Sequence, residues 1–240
     1  MHVSRGMRVA MAGVVLVLAA KGASAGSVTG TVKYEGTVPK LAPIKMDADP
    51  ECLKKHGGQP VAAEMLLLGA GNTVGNVFVY VKSGLPAGKS YPAPSSPIVM
   101  DQKGCQYHPH VMGVMVGQPF KILNSDAILH NVHAMPAVNQ QFNEGMPANR
   151  TEAVHTFSKA EAVFKIKCDV HPWMSAYVAV MTHPFFSITA ADGKFKIDNL
   201  PAGTYTVEAW HERLPVQTAS VTVGASDSKT VDFKLAAPSK

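Results

Sequence analysis

Residues 167–174, KCDVHPWM, place a thiol, an imidazole and a thioether within eight positions of the chain. Two residues separate Cys168 from His171, and two more separate His171 from Met174. A thiolate, neutral imidazoles and a weak axial thioether form the ligand set of an electron-transfer copper site. The segment therefore supplies three of the four ligands of such a site and lacks one imidazole.

His130 is the predicted source of the missing imidazole. In the strand-like segment LHNVHA, residues 129–134, alternation places His130 on one face with Val132 and Ala134, and His133 on the other. The segment AVFKIKC, residues 162–168, alternates in the same way and ends with Cys168 pointing inward. Because SAYVAVM follows at residue 175, CDVHPWM is predicted to connect two strands.

The segment NSDAILHNV, followed by a strand that ends in CDVHPWM, resembles the cupredoxins, and the short ligand loop is most similar to the amicyanin type. The resemblance covers residues 110–182 well and residues 27–109 only loosely. It implies an all-β, Greek-key β-sandwich that binds one type 1 copper ion. The implied copper ligands are His130, Cys168, His171 and Met174.

The same resemblance implies roles for residues around the ligands. Asn131 would form a hydrogen bond across to the cysteine loop and steady it. In such folds the loop histidine reaches the surface within an apolar patch, and here Pro172 and Trp173 flank His171. We therefore expect redox partner proteins to dock there weakly and transiently.

The C-terminal part of the chain has a different sequence pattern, which predicts short strands joined by hairpin turns. Residues 185–212 resemble the carboxypeptidase regulatory-like domain, a small transthyretin-like or carbohydrate-binding-like β-sandwich. The whole chain resembles exported bacterial proteins labelled methylamine utilisation or plastocyanin-like. No peptidase constellation accompanies the resemblance, so no peptidase activity is predicted. A glycan contact through this domain is a further expectation, although Tyr205 and Trp210 are predicted to pack rather than to hold a sugar.

The first 25 residues are predicted to be a cleaved export signal. Arg5 and Arg8 precede an apolar run over residues 9–20, and Ala23-Ser24-Ala25 has the small-x-small pattern of a cleavage site. The run is too short to span a bilayer, so a periplasmic or secreted protein without a membrane span is expected. The predicted domains are the signal at 1–25, a cupredoxin-like domain with an N-terminal extension at 26–183, and the second sandwich at 184–240.

Charge excludes one class of partner. Removing Arg5, Arg8 and Lys21 takes Lys+Arg from 22 to 19 against 17 acidic residues, a net charge of +2. No nucleic-acid partner is implied by so small an excess.

The three cysteines, Cys52, Cys105 and Cys168, leave one unpaired in an oxidising compartment. The simplest prediction is a disulfide between Cys52 and Cys105, which ties a short helix predicted in DADPECLKKHGG, residues 47–58, to the sandwich and leaves Cys168 for copper.

Two other metal sites remain open from the sequence. Cys105 and His108 repeat the C-x2-H spacing of the ligand loop, so the two pairs could hold a tetrahedral zinc ion. That arrangement would give Met174 no role. A second metal site built from His108, His110 and His133 is the other possibility, although nothing in the sequence fixes its geometry.

The sequence favours an electron carrier over an enzyme. It holds no nucleophile–base constellation, and a copper ion with four protein ligands leaves no open position for a substrate. A copper-binding or delivery protein, which needs a more open site, is the first alternative. A structural or carbohydrate-binding module with a secondary metal site is the other.

Overall fold

The computed structural model describes residues 25–237, so all but the last residue of the predicted export signal lies outside it. Within that range no helix is long and apolar enough to cross a bilayer. The described chain contains one α-helix, α1 (Pro50–Lys55), and short 3₁₀ helices at Glu64–Leu66 and Ala70–Asn72.

The rest of the regular structure is β-sheet, as the alternating patterns predicted. In chain order the strands are β1 (Gly26–Glu35), β2 (Phe78–Ser83), β3 (Ile98–Lys103), β4 (Gln106–His108), β5 (Val111–Met115), β6 (Pro119–Asn124), β7 (His130–Ala134), β8 (Phe142–Met146), β9 (Glu152–Thr156), β10 (Glu161–Lys167), β11 (Ser175–Met181), β12 (Phe186–Ile188), β13 (Lys194–Leu200), β14 (Gly203–Trp210), β15 (Gln217–Val223), β16 (Ser228–Thr230) and β17 (Phe233–Ala236).

Strands β3 to β11 form the first sandwich. One sheet has the order β5-β11-β10-β7-β8 and the other has the order β4-β3-β6-β9. Strands β5 and β11 pair in parallel, as do β3 and β6, and the remaining pairs are antiparallel. Apolar side chains from the two inner faces fill the space between the sheets, including Met100, Phe120, Ile122, Ile166 and Val178.

Strands β1, β2 and β12 to β17 form the second sandwich. Strand β1 pairs with β13 on one side and with β16 and β17 in parallel on the other. Strand β2 lies between β12 and β14 in the second sheet. Val28, Val32 and Tyr34, which alternate along β1, point into this core.

The predicted division of the chain at residues 183 and 184 was therefore wrong for the N-terminal strands. Both β1 and β2 were assigned to the first domain, yet they complete the second. The reason is physical: alternation reports which side of a strand is buried but not which sheet it joins. Strand β1 pairs with β13, β16 and β17 near the other end of the chain, where no local pattern could indicate the pairing.

The two sandwiches pack directly against each other. Phe78, Val111 and Ala179 form a small apolar cluster between them. A Cβ atom at Gly113 would lie 2.5 Å from the Phe186 ring, so glycine is what permits this close approach. Trp210 stacks obliquely on Tyr177, with ring centroids 5.3 Å apart.

The aromatic residues of the second sandwich follow their predicted roles in packing. Trp210 is half-buried against the first sandwich, and Tyr205 is buried in the core with its hydroxyl donating to Pro201 O. Neither side chain forms an open platform for a sugar, and the expected glycan contact stays a prediction.

A buried polar contact also joins the sandwiches. His110 donates from Nε2 to the Glu212 carboxylate, which also accepts from the Tyr177 hydroxyl at 2.9 Å. Burial lowers the pKa of His110, but the Glu212 hydrogen bond and the nearby Glu64 charge outweigh burial and raise it above its ordinary value. Burial acts to raise the pKa of Glu212, but the hydrogen bonds from His110 and Tyr177 together with the histidine charges lower it below its ordinary value.

Replacing Glu212 with Gln should show a pH-dependent loss of stability. A raised histidine pKa contributes stability that is complete below the unfolded value of about 6.5 and is lost as the pH rises through the folded value. We expect E212Q to lower the free energy of unfolding by about 2 kcal/mol near pH 6 and by clearly less near pH 9. Urea unfolding at the two pH values measures the difference, and equal losses at both would contradict an ionic contribution.

Candidate metal centre

The predicted ligand loop lies at one end of the first sandwich. Strands β10 and β11 are antiparallel neighbours, and residues 168–174 connect them. Backbone hydrogen bonds close the loop: Cys168 N donates to Met174 O at 3.2 Å, and Met174 N donates to His171 O at 3.0 Å. The His171 amide points at Cys168 Sγ, 3.3 Å away. The loop is therefore a tight turn folded around the thiol.

Strand β7 brings His130 to the same end. It pairs with β10 through Ile166 opposite Ala134 and Lys167 opposite His133. His130 points into the sandwich and is fully buried, whereas His133 faces outward and contacts the Asp169 carboxylate. The predicted choice of His130 over His133 agrees with these positions.

Two imidazoles and the thiol of the predicted ligand set lie together in the protein interior, and Met174 is buried as well. None of the four is more than 2% exposed, and the members are His130, Cys168, His171 and Met174. The Nδ1 atoms of His130 and His171 are 2.9 Å apart, and Cys168 Sγ is 3.9 Å from His171 Nδ1. The thiol and both imidazoles fall within 4.8 Å of one another. Met174 ends the same loop and packs in the same core.

The arrangement of the two imidazoles suits the binding of a metal cation between them. His130 Nε2 lies 2.9 Å from Asp126 Oδ2, and His171 Nε2 lies 2.9 Å from Asp49 Oδ2. Each imidazole donates its outer proton to a carboxylate, so Nδ1 is the nitrogen that each ring turns toward the other. Two Nδ1 atoms at hydrogen-bond distance share a proton or ligate one metal ion. Two imidazoles beside a thiolate are the equatorial donors that suit copper.

Electrostatics favour the metal-binding form of the thiol. Burial raises the pKa of Cys168, but hydrogen bonds from His130 and from the backbone amides of Asn131, His171 and Val170 outweigh burial and lower it below its ordinary value. Burial acts to lower the pKa of His130, and its hydrogen bonds to Asp126 and Cys168 raise it overall. The site therefore stabilises negative charge on sulfur next to two imidazoles.

Asp126 organises the region around His130. Its carboxylate accepts hydrogen bonds from the amides of Gly104 and Cys105, each at 2.7 Å, as well as from His130. These contacts and Lys55 hold the pKa of Asp126 far below its usual range despite burial, which acts to raise it. Gly104 and Cys105 both have positive φ and form the two-residue turn between β3 and β4. No local pattern in the sequence indicates the target of this carboxylate.

Asn131 makes the contact that the resemblance implied. Its Oδ1 atom accepts a hydrogen bond from the Asp169 amide at 2.6 Å, directly after Cys168. The buried Tyr107 hydroxyl donates to Asn131 O, and Asn131 Nδ2 donates to Asn143 Oδ1. The cysteine loop is thereby tied to β7, the strand that carries His130.

A short segment that we call the cap, residues 46–58, covers the loop. The cap contains helix α1, which the sequence predicted within residues 47–58. The helix begins after Asp49, whose Oδ1 atom accepts a hydrogen bond from the Glu51 amide, and Pro50 occupies its first turn. Cys52 on this helix forms a disulfide with Cys105, with Cα atoms 5.6 Å apart. The predicted disulfide is confirmed, and Cys168 is the free cysteine.

Further contacts hold the cap against the β3–β4 turn. Lys55 Nζ donates to Asp126 O at 2.7 Å and lies 3.3 Å from its Oδ1 atom. The His56 ring contacts Gly104 O at 2.7 Å. The cap is thus attached both to the turn that carries Cys105 and to the carboxylate that holds His130.

The expectation that the loop histidine reaches the surface was wrong. His171 is 1% exposed, because Asp49 covers its outer nitrogen. The Trp173 ring also lies close by, with its centroid 5.1 Å from that of the His171 ring. Pro172 is exposed, whereas Trp173 is half-buried and donates from its indole nitrogen to Cys105 O at 3.1 Å. The covering residue Asp49 lies 122 positions before His171, so the loop sequence contains no sign of it.

The other proposed metal sites are not formed. Cys105 is committed to the disulfide and His108 is exposed, so the two C-x2-H pairs do not enclose a zinc ion. Three groups of potential ligands lie within bonding reach of one metal in the described range, and none includes His108, His110 or His133. His110 instead joins the two sandwiches, and His133 contacts Asp169.

Fold and site together define an all-β protein with a buried cluster of two imidazoles and a thiol. Residues 172–236 match the model of the carboxypeptidase regulatory-like domain, and this range includes all the strands from β11 to β17. No curated protein matches the sequence.

Solved structures similar to part of the chain are cupredoxins and a copper enzyme. The P94A variant of amicyanin in its oxidised state is 24% identical, with a TM-score of 0.33, over 44% of this chain and 99% of that one. A purple cupredoxin from Nitrosopumilus maritimus is 25% identical, with a TM-score of 0.27, over 31% and 81%. The copper-containing nitrite reductase of Thermus scotoductus SA-01 is 18% identical, with a TM-score of 0.33, over 41% of this chain and only 25% of its own.

Removing the disulfide should measurably destabilise the protein. Cys52 and Cys105 are 53 positions apart, and chain entropy predicts a loss of about 4 kcal/mol when a loop of that length is opened. We expect the double variant Cys52→Ser, Cys105→Ser to unfold at lower urea concentration than the oxidised protein. Reducing the unaltered protein with dithiothreitol should give the same shift, and no shift in either case would show that the cap adds nothing to stability.

Proposed function

We propose that this protein is an exported electron carrier that binds one copper ion through His130, Cys168, His171 and Met174. The observation that supports the proposal best is a buried cluster in which the Nδ1 atoms of His130 and His171 lie beside the Cys168 thiol. The pKa of that thiol is lowered. Bound copper would supply one-electron redox chemistry at this place.

The protein residues around the cluster would perform the positioning. The carboxylates of Asp126 and Asp49 fix the orientation of the two imidazoles by accepting their Nε2 protons. Asn131 ties the cysteine loop to β7. Such fixed surroundings suit electron transfer, since a rigid site rearranges little when its charge changes.

Burial of the donors favours a carrier over a copper-delivery protein. Delivery needs a site that an acceptor protein can enter, whereas each of the four side chains here is nearly or fully buried. A donor set of four side chains also leaves no coordination position for a substrate, so we do not propose a catalytic activity.

Redox partners would dock beside the ligand loop. Pro172 and Val170 on the loop are exposed, Val170 by 44%, and Leu129 directly before His130 is 50% exposed. Apolar groups at a small interface suit the weak, short-lived complexes of electron transfer. Trp173 would contribute only its accessible part, because its indole nitrogen is bound to Cys105 O.

The test is a visible absorption and electron paramagnetic resonance spectrum of the mature protein loaded with Cu(II). We expect an intense thiolate-to-copper band that Cys168→Ser abolishes, because sulfur is the source of that band. His133→Gln is the matched control, since His133 lies three positions from His130 but faces outward, and it should leave the band intact. A colourless wild-type protein, or one that retains zinc instead, would overturn the proposal.

A further inference from the structure

Asp49 uses its two carboxylate oxygens for different purposes. Oδ1 accepts the Glu51 amide at 2.9 Å and begins α1, whereas Oδ2 lies 2.9 Å from His171 Nε2. The orientation of the His171 ring is therefore linked to the position of the helix. The side chain of Asp49 is 33% exposed and lies between His171 and solvent.

The contact fixes which nitrogen of His171 carries the proton. A carboxylate can only accept, so Nε2 is the donor and Nδ1 keeps its lone pair for the interior. Asp126 accepts a hydrogen bond from the outer nitrogen of His130 in the same way. Carboxylates that bind the outer nitrogen of a ligating histidine orient the ring and make it a stronger donor.

The cap keeps the Asp49 carboxylate in place. The disulfide at Cys52 lies one turn after Asp49, and Lys55 and His56 attach the end of the helix to the β3–β4 turn. The carboxylate is consequently held next to His171 by contacts that do not depend on the metal.

We infer that Asp49 is a positioning residue for the metal centre, and that the cap closes the outer edge of His171 to solvent and to partner proteins. The inference rests on the proposed function, because it gives His171 the role of a copper ligand. A negative charge hydrogen-bonded to His171 stabilises the more positively charged, oxidised metal and lowers the reduction potential. Partners reach the centre across Asp49 or beside the cap rather than by direct contact with the imidazole.

Two substitutions separate the positioning role from helix capping. Asn and Ser both serve as N-caps, so Asp49→Asn and Asp49→Ser should leave α1 folded. Asp49→Asn keeps a neutral acceptor near His171, whereas Asp49→Ser is too short to reach it. Glu51→Gln is the matched control, since Glu51 is on the same helix with its side chain 63% exposed.

The effect of each substitution should increase with how much of the hydrogen bond to His171 it removes. Copper(II) affinity, measured by competition with a chelator, should fall about 10- to 100-fold in Asp49→Ser and less in Asp49→Asn. The reduction potential should rise in both variants, and the thiolate band should remain. Affinity and potential in Asp49→Ser equal to those of the wild type and Glu51→Gln would overturn the inference.

A measurement on the metal-free protein distinguishes failure of this inference from failure of the proposed function. Nitrogen-15 NMR of the His171 ring should show the Nε2–H form in the wild type and a mixture of forms in Asp49→Ser. A mixture already present in the wild type would refute the positioning role, whatever metal the protein binds. A fixed Nε2–H form without a thiolate band on adding copper would refute only the proposed function.

Release of the cap tests the closure directly. The double variant Cys52→Ser, Cys105→Ser removes the covalent anchor but leaves all four proposed ligands. We expect copper to pass to an external chelator at least about 10-fold faster from this variant, in line with the usual effect of losing outer-shell support. An unchanged rate of release would show that the cap does not control access.

Discussion

The structure of the candidate site depends on how two imidazoles are held face to face. His130 and His171 direct Nδ1 atoms toward each other at 2.9 Å, a distance at which the two nitrogens share a proton or ligate one metal ion. The fold maintains this arrangement because each ring donates its outer proton to a carboxylate, Asp126 or Asp49. A metal ion in place of the shared proton, next to the Cys168 thiolate, would bond to both rings. The rest of the first sandwich serves to keep these groups in place.

Four parts of the chain contribute to that arrangement. Strand β7 and the β10–β11 loop supply the imidazoles and the thiol, and Asn131 joins them. The turn between β3 and β4 supplies the two amides that hold Asp126. The cap supplies Asp49 and is attached to the same turn by the disulfide. Closing the site therefore couples the N-terminal segment to a loop more than 100 residues later.

The sequence predicted what local patterns can encode. Alternation identified His130 rather than His133 as the inward residue and placed the short C-x2-H-x2-M loop between two strands. The segment of residues 47–58 predicted the short helix α1. The odd cysteine count indicated the Cys52–Cys105 disulfide. Long-range pairing could not be predicted in the same way. Strand β1 joins strands near the C-terminus, and Asp49 covers His171, because these contacts depend on how distant segments pack and not on any local period.

The coordination of copper in the mature protein tests the central claim most directly. X-ray absorption at the copper edge reports the number and type of atoms bonded to the metal. The site described here predicts one short bond to sulfur, from Cys168, and two bonds to imidazole nitrogens, from His130 and His171. A shell of nitrogen and oxygen atoms without a short sulfur bond would contradict it, and would place any bound copper on other histidines of the protein.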